Sequence, residues 1–144
     1  MEELKKFKRK IKINVRFSDL DAMQHVNNAT YLSYLEEARL DYFNELFNRD
    51  KSRLDFEAVV GRIEINYHYP IVLGDDVEIL TRVSKIGTKS MDVDHLIGIK
   101  KGNEWIKSAS AFTKLVFYDY KSQTTKVIPD DVKKIIAKFE GIEI

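Results

Sequence analysis

The 144-residue chain carries 24 basic against 23 acidic residues and is 44% apolar and 33% charged, the profile of one soluble globular domain, residues 1–144, with a core of ordinary size. The even charge balance gives no general attraction to nucleic acid or a membrane surface, and no apolar run reaches the 18 or so residues of a membrane span. Without cysteine there is no disulfide, thiol nucleophile or Cys-ligated zinc, which is compatible with the reducing cytoplasm in which the protein is expected.

The chain opens on a basic run, Lys5-Lys6-Phe7-Lys8-Arg9-Lys10-Ile11-Lys12. It lacks the apolar stretch of a signal peptide and reads as a solvated lead-in to a first strand, because the alternation Ile11, Ile13, Val15, Phe17 begins inside it. A polar loop, Asp19 to Asn28, follows. From Thr30 to about Phe47 the apolar residues Tyr31, Leu35, Ala38, Tyr42 and Leu46 recur at helical steps. Leu32, Tyr34, Phe43 and Phe47 widen that face, so the helix should be buried on more than one side, with Glu36, Glu37, Arg39 and Asp41 left to solvent. The run Asn48 to Ser52 should end it.

Strands make up most of the remainder. Ile63, Ile65, Tyr67 and Tyr69 alternate with polar residues up to Pro70. A second strand runs from Val77 to Ile86 after the Gly74-Asp75-Asp76 turn. Met91, Val93, His95, Ile97 and Ile99 form a third, which leads through Lys101-Gly102-Asn103 into a long strand from Trp105 to Tyr118. Pro129-Asp130-Asp131 then starts a short amphipathic helix with Val132, Ile135, Ile136 and Phe139 on its apolar face. One strand, one long helix and about four further strands argue for an α+β antiparallel sheet covered by a helix on one face. A thin sheet of this kind should self-associate, most economically as a symmetric dimer.

The loop is the chemically dense segment. Two carboxylates, Asp19 and Asp21, one imidazole, His25, and two amides, Asn27 and Asn28, occupy ten positions before a helix start. Such a start presents free N–H groups that can bind a developing oxyanion beside a carboxylate. The same residues also suit a solvated turn with an Asn cap.

In order and spacing, the motifs resemble those of hot-dog-fold thioesterases of the 4-hydroxybenzoyl-CoA thioesterase type, with their acyl-CoA and acyl-acyl-carrier-protein branches. They are Arg16-Phe17-x-Asp19-x-Asp21, Asn28-x-x-Tyr31, Glu37-Ala38-Arg39, Tyr67-x-x-Pro70 with Gly74-Asp75, Gly87-Thr88-Lys89-Ser90, and Phe117-x-Asp119 running on to Ile128-Pro129. The resemblance implies a curved antiparallel sheet wrapped around one long central helix, with a short C-terminal helix. It implies homodimers or homotetramers with active sites at protomer interfaces, and hydrolysis of acyl-CoA or acyl-carrier-protein thioesters without a cofactor. It places Asp21 as the catalytic carboxylate, as general base or nucleophile, and Asn28 as the backbone N–H donor to the thioester carbonyl. His25 matches the histidine of the carrier-protein branch, although Met23 stands where that branch has asparagine. Lys89 and Ser90 match a turn that meets coenzyme A phosphates.

Each assignment has a plainer counterpart. His25 can simply bond loop backbone, Lys89 can be an ordinary turn lysine, and Asp19 competes with Asp21. His68 and His95 read as packing or surface residues. The three histidines are too dispersed to suggest a metal site. A protein that binds acyl thioesters without turning them over is the rival reading. A dehydratase is disfavoured, because no histidine precedes Glu36 or Glu37 on the helix.

Overall fold

Residues 2–48 and 57–144 are described by a computed structural model. After a 3-10 turn at Leu4–Lys6 come β1 (Arg9–Ile13), a second 3-10 turn (Phe17–Asp19) and the long helix α1 (Thr30–Leu46). Then follow β2 (Ala58–Tyr67), β3 (Asp76–Ile86), β4 (Ser90–Lys101), β5 (Glu104–Asp119), the two-residue β6 (Thr124–Thr125) and helix α2 (Asp130–Glu140). The strands form one antiparallel sheet in the order β1-β3-β4-β5-β2, with β6 paired to the end of β5. Since β1 and β2 are the two edges, the helix that joins them in sequence must cross the sheet, and it does so against the inner face.

Local chemistry sets the helix ends. The Asn27 carbonyl accepts the Thr30 N–H at 2.9 Å and its side-chain oxygen accepts the Ala29 N–H at 2.9 Å, which starts α1. Asn48, at φ 52°, takes the left-handed conformation that ends it. The rest of the expected terminator, Arg49 to Ser52, lies outside the described residues. Helix α2 carries Asp130 and Asp131 in its first turn and stops at Gly141, φ 70°, whose N–H bonds the Ala137 carbonyl at 2.8 Å.

The inward side chains form two apolar clusters. Tyr31, Leu35 and Ala38 pack with Ile79, Ile97 and Ala109 in one, and Tyr42 and Phe43 pack with Val83, Val93, Leu115 and Ile136 in the other. Helix α2 closes the second cluster. Its Glu140 accepts the Tyr42 hydroxyl at 2.5 Å and the Val83 N–H at 3.0 Å on one oxygen. Burial and that carboxylate push the Tyr42 hydroxyl far above its ordinary range, so it stays a donor.

The sequence pattern misplaces several residues. Phe17 is not the end of a strand but part of a 3-10 turn, 81% exposed, because the chain turns away after Ile13. Arg39 is not on the solvent face: it is 8% exposed, in the core. Tyr67 and Tyr69 remain exposed at the end of an edge strand. Strand β2 begins four residues before Arg62, its alternation broken by a bulge at Gly61, where a β-carbon would meet Val116 Cγ2 at 2.9 Å.

Candidate active site

The loop between β1 and α1 is a tight hairpin held by its own backbone. Leu20 bridges Val26, the Asp21 N–H bonds the His25 carbonyl at 2.7 Å, and Gln24 turns the chain at φ 64°. It is stitched to the segment after β2 by a His25–Val72 bridge and by the Val26 N–H on the Ile71 carbonyl at 2.8 Å.

The two carboxylates sit in opposite environments. Asp19 is 3% exposed and fully engaged: one oxygen accepts the Arg16 N–H (3.0 Å) and the Tyr34 hydroxyl (2.7 Å), the other the Arg16 guanidinium (3.1 Å). Burial alone would raise its pKa, but these hydrogen bonds and the Arg16 charge outweigh burial and hold it below the ordinary carboxylate value. Asp21 is half-buried. Its Oδ1 accepts the N–H groups of Met23 (2.9 Å) and His25 (3.3 Å), while Oδ2 has no partner among the described residues.

Asp21 lines a cleft of about 280 Å³ together with His25, Asn28, Tyr31, Tyr67 and His68, among others. Three of the five site residues singled out in the sequence are thus gathered in one place. The Tyr67 hydroxyl donates to the Asn28 carbonyl at 2.9 Å, and the Tyr67 ring meets the edge of Tyr31 at 4.9 Å. The Asn28 N–H, which belongs to the preceding peptide, has no acceptor among the described residues. The His25 ring has no hydrogen-bond partner among the described residues, and Met23 is 74% exposed. Tyr31 is anchored behind the cleft through Ser108 (3.3 Å), which itself donates to the Tyr69 carbonyl at 2.7 Å. Burial raises the pKa of both Tyr31 and Tyr67, so each keeps its proton at neutral pH.

Sequence reasoning misses Tyr67 and His68 as cleft residues. His68, whose Nε2 lies 3.4 Å from Ser110 Oγ, reads in the sequence as packing or surface. Their only sequence signal is the Tyr67-x-x-Pro70 stop, which places the end of β2 beside the loop. Lys89 and Ser90 are elsewhere. They occupy the β3–β4 turn, where the Phe117 N–H bonds the Lys89 carbonyl (2.8 Å) and Lys89 Nζ reaches Thr125 Oγ1 (3.5 Å). Ser90 pairs with Val116 of β5, whereas Tyr67 pairs with Ala109. That seven-residue step along β5 spans roughly 23 Å, at about 3.3 Å per residue, so within one chain the two parts of the expected site lie at opposite ends of the sheet. Among the described residues, no group of His, Asp or Glu is arranged to hold a metal ion, and no helix is long and apolar enough to cross a membrane.

An antiparallel sheet curved around one long helix, with a second helix closing its end, is the hot-dog fold, and a carboxylate-lined cleft beside the helix start suits thioester chemistry. Over residues 15–136 the sequence matches the thioesterase-like superfamily, to which the chain belongs, and it is a thioesterase. It is 33% identical over 126 residues to the long-chain acyl-CoA thioesterase FadM of Escherichia coli, covering 85% of this chain and 92% of that protein. A thioesterase from Thermus thermophilus, solved with coenzyme A and zinc, superposes with a TM-score of 0.82 at 31% identity, over 96% of this chain and 98% of that one. A thioesterase-superfamily structure from Jannaschia, 22% identical with a TM-score of 0.81 over 94% of this chain and 85% of that one, shares the fold.

Proposed function

We propose that this protein hydrolyses acyl-CoA thioesters in the cleft between the Asp21 loop and the start of α1. The observation that carries the reading is that Asp21 and Asn28 line the same cleft, and that one oxygen of Asp21 and the N–H of Asn28 are both unengaged among the described residues. FadM is named for activity on long-chain acyl-CoA, and the Thermus relative holds coenzyme A. Both favour CoA over a carrier protein as the thiol.

In the simplest route Asp21 takes a proton from water as that water attacks the thioester carbonyl. Negative charge develops on the carbonyl oxygen, where the Asn28 N–H stabilises it; one such donor is typically worth about 3 kcal/mol in the transition state. Collapse expels the thiolate, which takes the proton from Asp21 and leaves as free thiol beside the free acid. In the other route Asp21 attacks directly and water hydrolyses the resulting anhydride. In a single turnover in ¹⁸O-water, label in Asp21 establishes the second route, with water attacking the Asp21 carboxyl carbon of the anhydride. The first route puts label only into the released acid. His25 lies at the cleft wall, where it orients water or the pantetheine arm.

The functional unit in this reading is a homodimer. Strand β2 is an edge with Val60 and Tyr67 exposed at 44% and 47%. Pairing it with a second copy about a two-fold axis near Ile63 sets Val59 of one chain opposite Tyr67 of the other. Lys89 and Ser90 of one chain, which share a level with Val59, then approach the Asp21 cleft of its neighbour. There an ammonium and a hydroxyl suit the phosphates of coenzyme A. The test is thiol release from a panel of acyl-CoA esters, short to long and aryl, with acyl-carrier-protein in parallel, alongside sedimentation. Absence of turnover on every ester overturns the hydrolase reading. A stable, active monomer of 16.8 kDa overturns the dimer.

A further inference from the structure

We propose that Arg39, His95 and Thr113 form a buried site for one small monovalent anion, of chloride size, at the centre of the core and apart from the catalytic cleft. The two apolar clusters are separated by a polar layer to which four elements each contribute one residue. On β3 it is Thr81, between Ile79 of one cluster and Val83 of the other; on β4, His95, between Ile97 and Val93. On β5 it is Thr113, between Ala111 and Leu115, and on α1 it is Arg39, between Ala38 and Tyr42. The register makes them neighbours. Thr81 faces His95 directly, and His95 faces Ala111, so Thr113 is its diagonal neighbour on the same face.

This layer is short of acceptors. Arg39 Nη1, His95 Nε2 and Thr113 Oγ1 are all buried without a hydrogen-bond partner among the described residues, in residues 8%, 1% and 0% exposed. Arg39 makes no ion pair among the described residues; the opposite charge that acts on it, Glu36 one turn earlier, is exposed and screened by solvent. A guanidinium cannot shed its proton to relieve burial. The imidazole can: burial and the neighbouring Arg39 charge drive its pKa down to about 3, so His95 is neutral. Its Nδ1 lies 3.0 Å from Thr81 Oγ1. With the Thr81 hydroxyl donating to Nδ1, the ring proton sits on Nε2, and the layer presents three donor groups and one positive charge. The opposite tautomer, with Nδ1–H on Thr81 Oγ1, leaves Nε2 a buried acceptor that has no donor among the described residues.

Three donors around a buried charge call for an anion. Monovalent charge neutralises Arg39, whereas a divalent anion would leave an uncompensated negative charge in an apolar core. Water alone would fill the hydrogen bonds and leave the charge. A ligand that binds only the native state raises the melting temperature with the logarithm of its concentration above Kd.

Thermal unfolding of the full-length protein at fixed ionic strength, with sodium chloride or bromide exchanged for sodium gluconate, tests the site. The expected result is a rise in Tm with halide that reaches about 3 °C or more and grows with the logarithm of halide concentration. It should vanish in Arg39→Met and shrink in Thr113→Val. Crystals grown with bromide should show an anomalous peak within hydrogen-bond range of Arg39 Nη1. Equal melting in halide and gluconate, or no anomalous peak between Arg39 and Thr113, overturns the proposal and leaves a hydrated seam. If Arg39→Met fails to fold, the wild-type halide response, the Thr113→Val response and the bromide map still decide.

Discussion

Neutralising Asp21 and Asp19 one at a time should produce opposite phenotypes, although the two carboxylates are only two residues apart. In Asp21→Asn the amide oxygen can still accept the Met23 and His25 N–H groups, at 2.9 and 3.3 Å in the wild type, so the hairpin keeps its bonds. The change is confined to the second oxygen, which becomes an NH₂ group unable to take a proton from water. Loss of a general base or nucleophile typically costs a hundredfold or more, about 2.7 kcal/mol of transition-state stabilisation, so kcat should fall at least that far with Tm within about 1 °C of wild type. Asp19→Asn is the reverse. Asp19 uses both oxygens for three hydrogen bonds, and an amide can keep its acceptor on only one side. Its NH₂ must then face either the Arg16 guanidinium or the Tyr34 hydroxyl, donor against donor. Since Arg16 is largely exposed and screened, the expected loss is about 2 kcal/mol, or roughly 4–8 °C in Tm for a chain of this size, with kcat per folded molecule little changed. Thiol release from an acyl-CoA and urea denaturation measure the two effects. Near-full turnover in Asp21→Asn, together with lost turnover at unchanged stability in Asp19→Asn, would refute the assignment.

The lowered pKa of Asp19 gives an acid limb of its own. The stabilisation is complete above the unfolded value of about 3.9 and is lost as pH falls through the lower folded value, so Asp19→Asn should flatten the stability profile below about pH 4. His95 acts over a higher window. With a folded pKa of about 3, it binds a proton on unfolding at any pH between there and the unfolded value. Stability should therefore fall on acidification from about pH 6.5, by up to about 1.4 kcal/mol per pH unit. His95→Gln should remove that slope in urea titrations; an unchanged slope would show that other groups produce it. Gly98→Ala would bring a β-carbon within 2.0 Å of Trp105 Cζ2 and push the indole off its 2.9 Å bond to Glu78. A loss of about 3 kcal/mol is expected, and a loss below about 1 kcal/mol would mean that the ring moves freely. Tyr67→Phe frees the Asn28 carbonyl and should lower kcat about tenfold with KM nearly constant; an effect on KM alone would make Tyr67 a binding residue.

Much of the fold is readable because its signals are local. The steps from Tyr31 through Leu35 and Ala38 to Tyr42 describe the buried face of α1, and Pro129-Asp130-Asp131 marks the start of α2. What fails depends on partners distant in sequence. Arg39 lies one helical step beyond Ala38, and only its charge argues for solvent; the polar layer that receives it comes from Thr81, His95 and Thr113 on three separate strands. The start of β2 is hidden because the bulge at Gly61 shifts which side chains face inward, a change set by pairing with β5.

The same division holds for the candidate site. Asp21, His25 and Asn28 can be grouped from sequence because one ten-residue segment carries all three. Tyr67 and His68 cannot, since their alternation is that of any half-buried strand, and only the stitching of Val26 to Ile71 brings that strand end beside the loop. Nor can spacing separate Asp19 from Asp21. The difference lies in supply of donors: Arg16 and Tyr34 converge on Asp19 and consume both oxygens, while Asp21 receives only two backbone N–H groups on one oxygen. A carboxylate saturated with donors and buried is held as an anion, poorly placed to accept a substrate proton. One with an open oxygen beside a cleft keeps an acceptor within reach of a substrate proton, so Asp21 is the carboxylate on which we propose the thioester chemistry is built.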